Sequence, residues 1–222
     1  LGLEKIKREI ETLGHYYDCF TNENNEGVCP FCGLMPIDGE FDPTRDAFDH
    51  YLPKSKYPFN SVNLKNLVPS CHKCNSDNKK DKDPLHNRNG DRRKAFFPFS
   101  DKHADIEVYV SILKKKWIDL KPEEINIKFG PTELIEELDT WKALYRIDQR
   151  YSTKCCSKNG GIHWINRVLN ECQNYNLTPN EMLTAEIQSV SSNPWCESNF
   201  LKKAFLEGCE RAGLFSADLE ED

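Results

Sequence analysis

Two Cys-x-x-Cys pairs, Cys29/Cys32 and Cys71/Cys74, frame a segment that also holds an adjacent Asp49 and His50, then Asn66, and Asn75 directly after the last cysteine. Each pair is a tight knuckle that presents two sulfurs to one ion, and four thiolates suit tetrahedral zinc. Such a site is closed, so the zinc is expected to be structural and to help fold the segment around it. One pair alone would be read as a redox motif or as chance; two, the first followed by Gly33, point to zinc. His72, inside the second knuckle, is a further candidate ligand. The 38 residues between Cys32 and Cys71 exceed what a small zinc ribbon needs, so that loop must itself be folded.

Asp49, His50 and Asn75 suggest a second centre. With the zinc fixing Cys71 and Cys74 at the start of a helix, Asn75 falls on its first turn. A hairpin in the loop then brings Asp49 and His50 alongside. Asp and Asn oxygens are hard ligands that suit Mg2+ or Mn2+, and His50 is left as a base. An isolated Asp-His is most simply a surface or core pair, and an isolated Asn66 a turn residue. The ordered set between two knuckles argues for chemistry.

The surrounding elements must hold these residues. Residues 2–17 read as an amphipathic helix on Leu3, Ile6, Ile10 and Leu13, too charged for a signal peptide or an anchor. AFDHYL and NSVNL read as short strands, and Cys71 onward as a helix stopped by Asp83-Pro84. IEVYVSI (106–112) and INIKF (125–129) alternate like strands. Helices follow: Leu134, Leu138, Trp141 and Tyr145 share one face, as do Ile162, Ile165, Val168, Leu169 and Cys172. Thr178-Pro179-Asn180-Glu181 is a helix start, and a last helix runs to Ala212 with Gly213 as its cap. The expected organisation is α+β: an N-terminal helix and loop (1–27), a zinc-braced core (28–94) and a mainly helical region (95–222).

Composition sets outer bounds. The chain has 222 residues, 38% hydrophobic and 30% charged, and reads as a globular, cytoplasmic protein with no membrane span. The remaining cysteines (Cys19, Cys155, Cys156, Cys172, Cys196 and Cys209) lack paired spacing and are expected to be reduced. A net charge of −6 argues against a nucleic-acid partner until its distribution is considered. Residues 79–94 carry seven basic and three acidic side chains, whereas the final DLEED is wholly acidic.

Cys-x-x-Cys, Asp-His, Asn-Leu and Cys-x-x-Cys-Asn in that order resemble the HNH endonucleases, in the subgroup braced by a four-cysteine zinc. The resemblance covers about residues 29–83. It implies a ββα-metal fold, with His50 as general base and Asp49 and Asn75 as ligands of a catalytic Mg2+ or Mn2+. Asn66 would hold the hairpin and orient the histidine. Asn75 stands at the last position of the name, where some members carry histidine and others asparagine, which bears on metal preference. The implied reaction is hydrolysis of a phosphodiester to a 5′-phosphate and a 3′-hydroxyl. Activity is then expected to rise with pH as the imidazole loses its proton, at about 6.5 for an unperturbed histidine.

Lys54, Lys56, Arg88, Arg92, Arg93 and Lys94 are candidates for gripping phosphates without sequence preference. For any one of them, solubility explains the charge equally well. No recognition helix is evident. FDHYLPKSKYP and CNSDNKKDKDP also resemble the HNH subunit of Septu-type anti-phage systems. That likeness implies an ATPase partner docked by the helical region. Three functions are open: a DNA-cleaving HNH nuclease, the same chemistry on RNA, and a non-catalytic zinc module that binds nucleic acid or protein.

Overall fold

The computed structural model describes residues 3–24, 27–101, 104–114 and 119–215, with side chains from Glu11 onward. The apolar stripe at Leu3, Ile6 and Ile10, the lysines 115 and 116, and the acidic DLEED end lie outside the described side chains. The fold mixes α and β, with helices dominant and two small sheets. The chain divides into two compact units: residues 1–103 with 136–145, and residues 104–135 with 146–222.

The first unit begins with helix α1 (Leu3–Glu23), longer than the apolar spacing predicts. Its Tyr17 is buried, donating to the Asp38 carbonyl at 3.0 Å and accepting from the Asp46 amide at 3.2 Å. Strands β1 (Phe48–His50) and β2 (Leu67–Pro69) pair antiparallel, setting Asp49 opposite Val68 and His50 opposite Leu67. The expected second strand, NSVNL, is not one. Residues 58–60 and 64–66 form single 3-10 turns instead, because Asn63 spends its side chain on the Lys65 amide and its backbone carbonyl on the Asn66 amide. A wide π-type helix, Lys73–Lys79, follows the second knuckle. It ends at Lys80, not at Pro84, since Lys80 turns left-handed (φ 53°) as its amide closes on the Asn75 carbonyl.

Helix α2 (Ile135–Tyr145) completes this unit. Leu138 and Tyr145 are buried as their spacing predicts. Trp141 donates its indole N–H to the Phe31 carbonyl at 2.6 Å, and Tyr145 stacks on the Phe31 ring with centroids 4.7 Å apart.

In the second unit β3 (Glu107–Ile112) and β4 (Ile125–Gly130) pair antiparallel over their whole length, as the alternation predicts. Helices α3 (Ile147–Cys155), α4 (Gly161–Tyr175), α5 (Pro179–Ser191) and α6 (Asn199–Arg211) supply the rest. Thr178 and Glu181 form the expected reciprocal cap of α5. The core is apolar: Ile165, Val168, Leu183, Leu201, Phe205 and Leu206 are buried. Gly208 lets α6 lie against β3, because a β-carbon there would meet the Val110 carbonyl oxygen at 2.6 Å. None of the ten cysteines is in a disulfide.

Candidate functional site

The four motif cysteines form one buried group, their sulfurs all within 4.8 Å of one another. Zinc–thiolate bonds of about 2.3 Å in a tetrahedron place sulfurs roughly 3.8 Å apart. Cys32 and Cys71 stand 4.0 Å apart, near that spacing and twice a disulfide length. Turn bonds build each knuckle: the Cys32 and Gly33 amides on the Cys29 carbonyl, the Cys74 and Asn75 amides on that of Cys71. Gly33 supplies a positive φ of 61° at the first. Burial, then hydrogen bonds to Cys32 and Cys71, push the Cys29 thiol well above its ordinary value, whereas the bond to Cys29 lowers Cys71. Four packed thiols that resist ionising together need a dication to become thiolates, and its capture releases their protons. The group can therefore hold zinc. His72 is no ligand; its ring is largely exposed, 3.7 Å from an Asp77 carboxylate oxygen.

The hairpin and the π-helix bring the other motif residues together. Asn75 donates from Nδ2 to the Phe48 carbonyl at 3.3 Å, so the helix start is tied to β1 beside Asp49. Asn66 is buried and staples the loop: its Oδ1 accepts from the Leu52 amide at 2.7 Å, and its Nδ2 donates to the carbonyls of Leu52 and Asn60. The next carbonyl, that of Ser61, lies 3.1 Å from His50 Nε2. A carbonyl can only accept, so in that hydrogen bond Nε2 carries the proton and, in the neutral ring, Nδ1 keeps its lone pair. Asn66 thus orients His50 through the loop and not by touching it.

Asp49 differs from a solvent-facing ligand. It is 2% exposed, and Lys79 Nζ, wholly buried, lies 3.0 Å from its Oδ1 and also donates to the His50 carbonyl. Burial pushes the Asp49 carboxyl up and the Lys79 ammonium down, each opposed by the other's charge. Asp49 Oδ2 is buried with no hydrogen-bond partner among the described residues. A carboxylate oxygen left so costs stability unless something occupies it. It and the side-chain oxygen of Asn75 are both hard donors, the type that Mg2+ and Mn2+ take. Lys79 is the residue sequence reasoning missed. Its signal was present, four places after Asn75 on a helix, but adjacent Lys80 carries the same charge.

The basic candidates separate by role. Lys54, Lys56, Arg88 and Arg92 are exposed. Arg93 is half-buried with its guanidinium on the Asp83 carbonyl, and Lys94 pairs with Glu136 at 3.0 Å. Asp83 is a second hub, accepting from Tyr57 Oη at 2.8 Å and the Leu85 amide at 2.8 Å, with His86 Nδ1 at 3.2 Å. It ties the loop after β1 to the segment that follows the helix.

No protein-family profile and no solved structure matches this chain. Over 60 residues the chain is 43% identical to "Protein ea31" of Escherichia phage lambda, a stretch covering 27% of this chain and 18% of that protein. The chain therefore spans less than a fifth of the relative it matches, whose name states no activity. None of the described helices is long and apolar enough to cross a membrane.

Proposed function

We propose that the protein is a metal-dependent HNH-type endonuclease that hydrolyses phosphodiester bonds in nucleic acid, DNA before RNA. The observation that carries this reading is the convergence of four separated residues on one hairpin and helix. His50 presents a free imidazole nitrogen, Asp49 an unpartnered oxygen, Asn75 is bonded to the same strand, and Asn66 fixes the loop that orients His50. His50 takes a proton from water as that water attacks phosphorus. The Ser61 carbonyl holds the resulting imidazolium in place. Asp49 and Asn75 would hold Mg2+ or Mn2+, which when bound offsets charge growing on the phosphoryl and leaving oxygens. Lys79 keeps the Asp49 carboxylate and the His50 backbone in register. Cys29, Cys32, Cys71 and Cys74 would hold a structural zinc that fixes the helix start.

The test is cleavage of supercoiled plasmid by the zinc-loaded protein with Mg2+, Mn2+ or neither. Nicking is expected to require the added metal, to fall by ~10^2-fold or more in His50→Ala, and to rise with pH on the acid side. Cutting by His50→Ala at the wild-type rate would sink the assignment. Matched DNA and RNA strands separate the two substrate classes.

One observation favours a second reading. Asp49 is buried and neutralised by Lys79, as a purely structural pair would be. On that reading the module is a zinc-braced adaptor that binds nucleic acid or protein without cutting. Tight binding with no cleavage under any divalent metal supports it. A place in an anti-phage complex, as the nuclease beside an ATPase partner, belongs to the first reading. It predicts that the native host yields a stable complex of the two on pull-down.

A further inference from the structure

The loop between β1 and β2 exposes apolar side chains where a folded protein has no use for them. Phe59 is 96% exposed and Val62 83%, on either side of Ser61, whose carbonyl meets His50. These side chains are not on a loose tip. The Ser61 amide and hydroxyl both bond the Pro58 carbonyl, the Asn63 amide bonds that of Asn60, and Asn66 holds Asn60 from below. Tyr16 of α1 fixes the far end, donating to the Leu64 and Leu67 carbonyls. The Phe59 ring is therefore bare on a backbone held by hydrogen bonds, two residues from the carbonyl that meets the proposed base.

Charge identifies what covers it. Residues 51–76 contain four lysines (Lys54, Lys56, Lys65 and Lys73) and no Asp or Glu, in a chain whose net charge is −6. Lys54, Lys56 and Lys65 are exposed around the same loop. The contrast is Phe41, 95% exposed but flanked by Glu40 and Asp42, which repel a polyanion. A bare aromatic ring amid lysines fits a phosphate-linked chain whose bases are open to stacking, because each base offers a π-face and each phosphate a charge.

We propose that Phe59 is a stacking platform for an unpaired nucleobase, and that the preferred substrate is single-stranded nucleic acid or a duplex with an unstacked base at the cut. Lys54, Lys56 and Lys65 hold the flanking phosphates, and Val62 covers the edge of the base. This inference rests on the nucleic-acid reading of the site and names its substrate class.

Binding is measured by fluorescence anisotropy with zinc-loaded protein and no added magnesium or manganese, on a labelled single strand and on its blunt duplex, in DNA and in RNA. Phe59→Ala is expected to weaken single-strand binding by about ten-fold or more and duplex binding by less than about two-fold, with Phe59→Trp close to wild type. The ring is solvent-exposed, so loss of folding does not confound the variant; unchanged zinc content confirms this. Equal affinity of Phe59→Ala and wild type for the single strand, or equal loss on strand and duplex, overturns the proposal. So does a wild type that binds no nucleic acid, which would make the patch a protein contact. Adding Mg2+ or Mn2+ to the bound complex separates the two readings. Phe59-dependent binding without cutting keeps the platform and removes the hydrolase. Cutting that ignores Phe59 does the reverse.

Discussion

Each compact unit buries a lysine–carboxylate pair, and the two pairs are completed differently. In the second unit Lys202 of α6 meets Glu186 of α5, and Arg167 of α4 stands 3.6 Å from the same carboxylate oxygen. Three helices supply two cations to one acid. In the first unit Asp49 has Lys79 on one oxygen and, among the described residues, no hydrogen-bond partner on the other. The second unit brings a second cation to its acid, whereas among the described residues the first unit brings one. Burying a carboxylate oxygen without a partner is destabilising, and the metal-ligand role proposed for Asp49 would offset that cost. The surroundings agree. The second unit rests on an apolar core, whereas the first is stitched by cysteines, asparagine amides and two three-residue strands.

The largest test of this contrast is zinc removal. One zinc per chain is expected by elemental analysis, and Cys74→Ser or a strong chelator should unfold the first unit, since such sites contribute ~10–16 kcal/mol in small peptides. Hydrogen exchange should then show residues 28–84 unprotected and α4–α6 still protected; simultaneous loss in both would erase the distinction. Next in size is Lys79→Met, which strands Asp49 and should cost about 3–5 kcal/mol in urea unfolding. Adding Asp49→Leu should recover most of it. Lys202→Met should cost less, about 1–3 kcal/mol, because Arg167 remains to answer Glu186. An equal cost for the two lysines would mean that the pairs are equivalent after all.

The smallest effect is acidic. Burial raises the Asp83 carboxyl, but hydrogen bonds from Leu85, Tyr57 and His86 outweigh it and hold the group below its ordinary value. A carboxyl lowered on folding adds stability that is fully present above about pH 5 and is lost as pH falls through its folded value. The stability gap between wild type and Asp83→Asn should therefore be flat near neutrality and shrink below about pH 4. A gap that widened on acidification would reverse the sign assigned to Asp83.

Chemistry-bearing residues were legible in the sequence because their types are uncommon together. The cysteine spacing led to the four-sulfur group, and β3, β4 and the α5 cap followed from alternation and capping. What was not legible was how the loop is built. NSVNL is short enough for a strand, but its Asn63 side chain bonds the backbone two residues on, a local competition that pattern cannot weigh. Nor could spacing tell Lys79 from Lys80. One is wholly buried and the other caps the helix with a left-handed turn, and only packing separates them. Exposure of Phe59 was hidden for the same reason, since an aromatic residue in a sequence is read first as core.

Helix α2 has a consequence for how the protein is made. The knuckles and the hairpin are complete once Cys74 has left the ribosome, but Trp141 and Tyr145, which cover the Phe31 face of the first knuckle, are translated after the whole β3–β4 hairpin. At ~5–20 residues per second that interval lasts several seconds. During it the nascent first unit shows an open aromatic face, so the four cysteines are free to load a metal before closure, and a chain cut at residue 103 would keep its cysteines yet lack its cover.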